Sequence, residues 1–398
     1  MASQSKVALK NLRIWNGIDD AIDSGVDTVM FENGDLTFVG SSEDLLKESV
    51  SVARDMGGLY MIPGLIDAHV HLCLDPHIKN PLEQGKLTDG EQFQKIADRA
   101  RAMLAAGITS ARDLGGGRWL ELKIRDRIRR GELVGPRLLC AGQPITTPSG
   151  HCHFWGGEAS DSADAIKVLT RQLDHGVDLI KVMATGGNIT PGSKPVDAQF
   201  DQETLSIIVG EAHKQGLRVA AHCHGTAGIS NAAAAGISTI EHCSWVGRDG
   251  WAKGFDPEVL ASITSQGIWV SPTINSGWKR FMGSNEYADL LGQNYARMRE
   301  GGVKLIASTD AGIPNVLHHD LPAALPVFAK IAGLKVIETL RSATSDCAEA
   351  IGLGGISGQI SEGYSADFVL FEEDPTSNLE LLVKPVQVYK QGKPALAV

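Results

Sequence analysis

Residues 65–72 read LIDAHVHL, an apolar run entered through Pro63-Gly64 and broken near its C-terminal end by His69 and His71. A short continuous apolar run bounded by Pro and Gly is read as a buried strand. Seven runs of the same kind follow: ITSARDLG (108–115), PRLLCAG (136–142), LIKVMATG (179–186), RVAAHCHG (218–225), STIEHCSW (238–245), IWVSPTI (268–274) and KLIASTDAG (304–312). Helical patterns separate most of them, among them GEQFQKIADRARAMLAAG (90–107), DQETLSIIVGEAHKQG (201–216) and HHDLPAALPVFAKIAG (318–333). Strands alternating with helices form parallel sheets. Eight such units predict an α/β fold, a (β/α)8 TIM barrel with its chemistry at the C-terminal strand ends. No G-x-G-x-x-G follows the first strand, which leaves a doubly wound open sheet unsupported.

The two ends of the chain differ from its middle. VALKNLRIWNG (7–17), DTVMFENG (27–34) and DLTFVG (35–40) are β-rich pieces punctuated by turn residues, as are ADFVLFEE (366–373) and VKPVQVYKQG (383–392). The expected organisation is a small discontinuous β-sandwich from residues 1–62 and 356–398, around a barrel of residues 63–355.

Composition narrows the function. The chain has 398 residues, with 37 Lys+Arg against 47 Asp+Glu and a net charge of −10. That balance offers no basic excess to neutralise phosphates, so no nucleic-acid partner is expected. No apolar run approaches the roughly 18 residues of a membrane span, and MASQSKVALK has no apolar signal core, so a cytoplasmic protein without a membrane partner is expected. Cysteines 73, 140, 152, 223, 243 and 347 form no C-x-x-C pair and are read as thiols. Cys73, Cys223 and Cys243 neighbour histidines, either lining a pocket or packing behind it.

The chemistry gathers at strand ends. Strand period two puts His69 and His71 on one face, a clamp for a divalent metal. His222 and His224 end a later strand, His242 ends the next, and Asp310 closes the eighth run. Each alone reads as a structural polar residue; imidazoles and a carboxylate ending four apolar strands together read as a ligand set. Lys181 sits inside an apolar strand, where burial disfavours its ammonium form. A neutral amine there can take up carbon dioxide as a carbamate; otherwise the lysine reaches solvent or pairs with a carboxylate. The loop QPITTPSGHCHFWGGEA (143–159) brings His151, His153, Phe154 and Trp155, and SPTINSGWKRFMG (271–283) brings Trp278, Arg280 and Phe281 toward the same mouth.

The strings MIPGLIDAHVHL, ARDLGG, KVMATGG, AAHCHG, IEHCSW and STDAG, spread over nearly the whole chain, resemble the amidohydrolase superfamily, in particular its imidazolonepropionase-like and prolidase-like branch. The resemblance implies two divalent ions, zinc foremost, with His69, His71 and Asp310 on the more buried ion. It implies His222 and His242 on the more exposed ion, and Lys181, carboxylated by CO2, bridging the two. His222 and His224 share a strand face; the family pattern puts the ligand at His222 and leaves His224 over the substrate. Asp310 and His224 are the implied catalytic residues, and His151 and His224 the implied substrate-binding ones; Arg112, ending the second run beside Asp113, is read from its position as a further substrate-binding residue. Arg112 alternatively braces the barrel mouth in an ion pair.

The implied reaction is hydrolysis of a small-molecule amide, a dipeptide or N-acyl amino acid, by a homo-oligomer. Some prolidase-like members carry a tyrosine just after the fifth-strand motif; HCHGTAGI (222–229) has none, which weakens a proline-dipeptidase reading. Cyclic amides, aryl amides and carbamates are the alternative substrates. A phosphate-ester hydrolase and a metal-free binding protein are the readings from other classes.

Overall fold

The computed structural model describes residues 6–47, 50–283 and 286–395; residues 1–5 and 396–398, the outer ends of the expected β-rich segments, lie outside the described residues. The strand Leu65–Val70 is buried at every position, which accounts for its unbroken apolar run. It pairs in parallel with Ile108–Asp113, which pairs with Arg137–Cys140. A second parallel sheet holds Leu179–Met183, Arg218–Gly225, Thr239–Val246 and Trp269–Ser271 in that order. Bridges join these sheets: Ile145 to Val182, Val270 to Leu305, and Val70 to Ala311, all parallel.

Seven of the eight expected runs contain regular strands. The eighth, 304–312, forms no regular strand and pairs with its neighbours as isolated bridges at Leu305 and Ala311. The cause is local. Asp310 has φ 59°, the Ala307 amide donates to the Ser342 carbonyl, and the Thr309 amide donates to the Asp67 carboxylate, so a continuous ladder is interrupted. The segment is still held in place: the Asp310 amide donates to the His69 carbonyl at 2.9 Å and the His71 amide to the Ala311 carbonyl at 2.8 Å.

Helices between the strands start where the sequence supplies caps. The Thr88 and Glu91 side chains form a capping box on Asp89–Ala105, and Asp161, Asp201 and Asp256 cap the helices Ser162–Asp174, Gln202–Lys214 and Pro257–Ser265. The first of these buries Ile96, Ala100, Met103 and Leu104, and the others bury similar stripes in the same extended core. Among the described residues no helix is long and apolar enough to cross a membrane.

The chain ends combine in one sheet. Arg13–Ile14 and Tyr60–Pro63 pair with Phe368–Phe371, Gln387–Lys390 and Lys393–Pro394. A second sheet holds Asp35–Gly40, Thr28–Glu32, Val7–Lys10 and Val52–Asp55. Leu9, Phe31, Met61, Phe368 and Tyr389 form a shared apolar core, with Phe368 and Tyr389 stacked at 4.6 Å.

Gly64 joins this layer to the strand Leu65–Val70. Its amide donates to the Asp367 carbonyl, and a Cβ there would lie 2.0 Å from the buried Thr109 Oγ1. Gly64→Ala is therefore expected to lower stability by about 1–3 kcal/mol through overpacking. Urea denaturation checks this; an unchanged midpoint would show that Thr109 rotates away freely.

Candidate active site

The C-terminal ends of the strands surround a cavity of about 520 Å³. Eight of the nine expected site residues line it: His69, His71, His151, Lys181, His222, His224, His242 and Asp310.

His69 and His71 do share a strand face, and their Nε2 atoms lie 3.2 Å apart. Their outer nitrogens are fixed. His71 Nδ1 is 3.0 Å from the Gly115 carbonyl, and His69 Nδ1 is 3.0 Å from Glu241 Oε2. A carbonyl and a carboxylate can only accept, so each Nδ1 carries the proton and each Nε2 presents a lone pair. Asp310 Oδ1 meets those lone pairs at 3.2 and 3.5 Å. Two bare imidazole nitrogens and the Asp310 carboxyl thus converge, and burial raises that carboxyl to about 7 against the pull of Lys181, an arrangement that a cation relieves.

The same logic holds across the cavity. His222 Nε2 donates to the Gly186 carbonyl at 3.1 Å, leaving Nδ1 bare. His242 Nδ1 lies 2.8 Å from Thr273 Oγ1, whose own proton goes to the Pro272 carbonyl; the hydroxyl therefore accepts, and His242 Nε2 is bare. His224 Nδ1 is held by the Ser244 hydroxyl at 2.9 Å. Donor atoms of His222, His224 and His242 gather within 4.8 Å, as do those of His69, His242 and Asp310, so His242 belongs to both groups. His222 and His224 both reach the site. Burial, reinforced by the neighbouring cationic groups, keeps the imidazoles neutral: His71, His151 and His224 fall to about 3, and His69, His222 and His242 lie well below the usual value. Neutral imidazoles are the metal-binding form.

Two backbone departures aim these groups. Strand alternation would turn Glu241 and His242 to opposite faces, but His242 and Cys243 have φ of 68° and 49°. This left-handed turn lets Glu241 brace His69 while His242 enters the cavity. Asp310 gains its inward position from the same kind of turn. Asp67 clamps the approach, accepting from the His69 and Thr309 amides and the Thr309 hydroxyl.

Lys181 is 1% exposed, and burial lowers its ammonium pKa to about 8, against the opposing pull of Glu241 and Asp310. His151 lies over His222 with ring centres 4.5 Å apart. Its loop is tied down by the His151 amide on Gln199 and the Cys152 amide on Thr190. Of the other residues expected on that wall, His153, Phe154 and Trp155 do not line the cavity; Trp155 packs on the His71 ring at 5.2 Å. Cys223 and Cys243 are fully buried in the core behind the histidines. Trp278, Arg280 and Phe281 line the cavity as expected, joined by Trp251 and Tyr287, which the sequence reading missed. Tyr287 comes from the helix Glu286–Glu300, far in sequence from the fifth-strand motif.

Arg112 is the correction. It does not line the cavity and has no access to a substrate carboxylate. Its Nε donates to the Ala68 carbonyl, Nη1 to the Thr239 hydroxyl, and Nη2 to Glu241 Oε1 at 2.7 Å. The brace is an ion pair with Glu241, a residue not anticipated. The signal was present as a lone acid in the apolar run STIEHCSW, where a buried carboxylate needs a cation.

Removing the guanidinium by Arg112→Met leaves the Glu241 carboxylate buried without its cation. The expected loss is about 3–5 kcal/mol. Chemical denaturation measures it; unchanged stability with only a raised KM would return Arg112 to the substrate.

With this geometry in hand, likeness to known proteins becomes informative. Residues 60–395 match the family model described as the amidohydrolase family. Ochratoxinase of Aspergillus niger is 27% identical over 397 residues, covering 90% of this chain and 80% of that protein. Imidazolonepropionase of Chloroflexus aggregans is 25% identical over 405 residues, covering 92% and 90%. A crystal structure of a Xaa-Pro dipeptidase with bound methionine shares the fold, with TM-score 0.84, 23% identity, and coverage of 98% and 99%. These likenesses agree with the resemblance read from the motifs, including its imidazolonepropionase-like and prolidase-like branch. The chain belongs to the amidohydrolase family and is a hydrolase of carbon–nitrogen bonds.

Proposed function

We propose that the protein hydrolyses the amide bond of a dipeptide or N-acyl amino acid at a site built for two divalent metal ions, zinc foremost. The observation that carries this reading is the convergence of the bare His69, His71 and Asp310 acceptors beside those of His222 and His242. Unrelieved, such a set is repulsive; imidazole and carboxylate together suit zinc-type ions. His69, His71 and Asp310 would hold one ion and His222 and His242 the other. Lys181, buried and with its amine pKa lowered, is suited to carboxylation by CO2 and to bridging them. Ions bound there would supply a water with pKa near about 7 and polarise the substrate carbonyl.

The chain's own groups do the rest. Asp310 Oδ1 accepts the proton of the attacking water and returns it to the leaving amine. His224, fixed by Ser244, offers its remaining nitrogen to the substrate beside His242, with ring centres 4.5 Å apart. His151 covers the same side. Trp251, Trp278, Phe281 and Tyr287 form an aromatic wall with ring centres 5.5–6.1 Å apart along Trp251–Tyr287, Tyr287–Trp278, Trp278–Phe281 and Phe281–Tyr287. That wall suits an apolar acyl or side chain. It also favours a second reading, an aryl amide or carbamate.

The architecture supporting this site is read as a (β/α)8 barrel of residues 63–355, the two parallel sheets and segment 304–312 closing through their bridges. Residues 1–62 and 356–398 are read as the β-sandwich. The protein is read as cytoplasmic, with its six cysteines as thiols, and a homo-oligomer is expected from the family.

Zinc-supplemented protein is expected to release free amine from a panel of dipeptides and N-acyl amino acids. Asp310→Asn should lower kcat by about 10²–10⁴-fold with the fold retained. A fully active Asp310→Asn protein would falsify the proton-transfer role, and activity confined to aryl amides or carbamates would select the second reading. Glu241→Gln keeps the shape but weakens the hold on His69; metal affinity is expected to fall about 10–100-fold. Competition with a chelator measures this, and unchanged affinity would detach Glu241 from the metal site.

A further inference from the structure

The short helix Ser276–Phe281 borders the cavity and is tied to its surroundings at several points. Asn275, just before it, accepts from the Gly277 amide and donates to the Thr309 carbonyl, one residue ahead of Asp310. The Ser276 amide and hydroxyl both donate to the Asp320 carboxylate, at 2.8 and 2.6 Å. Trp278 packs on Tyr287 with ring centres 5.8 Å apart. The rim is thus fixed relative to the floor. One side chain on it plays no part in the proposed chemistry. Arg280 lines the cavity, and its guanidinium lies over the ring of Phe281, itself a wall residue, at 4.6 Å from the ring centre.

An exposed arginine is ordinarily solvated or paired on the surface, with little consequence. The setting of this one differs. Among the described residues its guanidinium has no hydrogen-bond or ion-pair partner, and Asp310, the sole acid lining the cavity, is engaged with His69 and His71 on the floor. The cavity's other basic side chain, Lys181, is 1% exposed and belongs to that floor. Arg112 is committed to Glu241, and neither it nor Lys279 lines the cavity. A guanidinium keeps its charge at any working pH. The cavity therefore carries one unneutralised cation at its exposed rim, and that cation is a planar fork of donors matched to a carboxylate. Between floor and rim stand the aromatic rings. A ligand complementary to this order has its scissile bond at the floor, an apolar middle and an anionic outer end, and about 520 Å³ accommodates one of dipeptide size.

We propose that Arg280 is the specificity-determining residue of this site, holding the free carboxylate of the leaving amino acid while the aromatic wall takes its apolar side chain. The inference rests on the amide-hydrolase reading above and narrows it: the substrate ends in a free acid, not in an amide, an ester or a bare aryl group.

Two matched pairs test this on the metal-loaded protein. The first is the best N-acyl amino acid of the panel and its C-terminal carboxamide, compared by kcat/KM. The acid is expected to be preferred, chiefly through KM, and Arg280→Met should lower the acid-to-carboxamide ratio by about 10–100-fold, the worth of a charged hydrogen bond. Arg280→Lys, which keeps the charge and loses the fork, should restore part of the ratio, and Arg280→Glu should invert it. Arg280 is exposed, so these variants are expected to fold. The second pair, hydrocinnamate and hydrocinnamamide, is compared by calorimetric binding and needs no turnover; the acid is expected to bind tighter, and Arg280→Met to erase the difference. Hydrocinnamate that fails to bind, or that binds Arg280→Met as tightly as the wild type, overturns the proposal. So does turnover with the acid-to-carboxamide ratio unchanged in Arg280→Met, which leaves the hydrolase reading standing. Hydrocinnamate binding that depends on Arg280, with no amide in the panel cleaved, keeps Arg280 as the carboxylate-binding residue and removes the hydrolase reading instead.

Discussion

One buried carboxylate joins the parts of the site. Glu241 Oε1 takes the Arg112 guanidinium and the Thr239 hydroxyl, and Oε2 takes the His69 imidazole. Arg112 in turn holds the Ala68 carbonyl, one residue before His69. Three strands, Leu65–Val70, Ile108–Asp113 and Thr239–Val246, are thereby locked at one depth. Burying such a pair is costly, and an apolar replacement of equal shape would often serve stability as well. What the pair adds is orientation. It fixes the tautomer and direction of His69, and the approach of Asp310 depends on that direction.

The same economy of fixing the outer nitrogen recurs at the other strand-end imidazoles, with a different partner every time: Gly115 for His71, Gly186 for His222, Thr273 for His242 and Ser244 for His224. These partners come from strand ends and the loops after them, where regular pairing stops. Thr273, His242 and Asp310 all have left-handed backbone, a conformation that costs a non-glycine residue about 1–3 kcal/mol. Irregularity in 304–312 and the inward position of Asp310 are therefore one fact.

This explains what the sequence disclosed and what it hid. His69 and His71 were legible because strand alternation is reliable in mid-strand, and the βα rhythm was legible because buried strands are short and apolar. Lys181 was legible because a lysine inside LIKVM cannot be there for solvation. Glu241 was not, because alternation turns it away from His242 and only the left-handed turn at 242–243 reverses that. Arg112 was open to two readings, a substrate contact and an ion-paired brace, since its strand-end position is shared by residues that face the cavity and by residues that brace it. Tyr287 and Trp251 reach the cavity from elements distant along the chain, and no local pattern marks them.

The cavity is therefore two surfaces with different origins. The floor is set by strand ends and is rigid, because every imidazole on it has its outer nitrogen bound. The wall is set by Trp251, Trp278, Phe281 and Tyr287, which meet through ring contacts rather than hydrogen bonds or ladder pairs. Ring contacts tolerate exchange of one apolar side chain for another far better than a tautomer-fixing bond tolerates loss of its acceptor. On the proposed reading, chemistry belongs to the floor and substrate choice to the wall. A site built this way can exchange wall residues without disturbing the bonds that fix its floor.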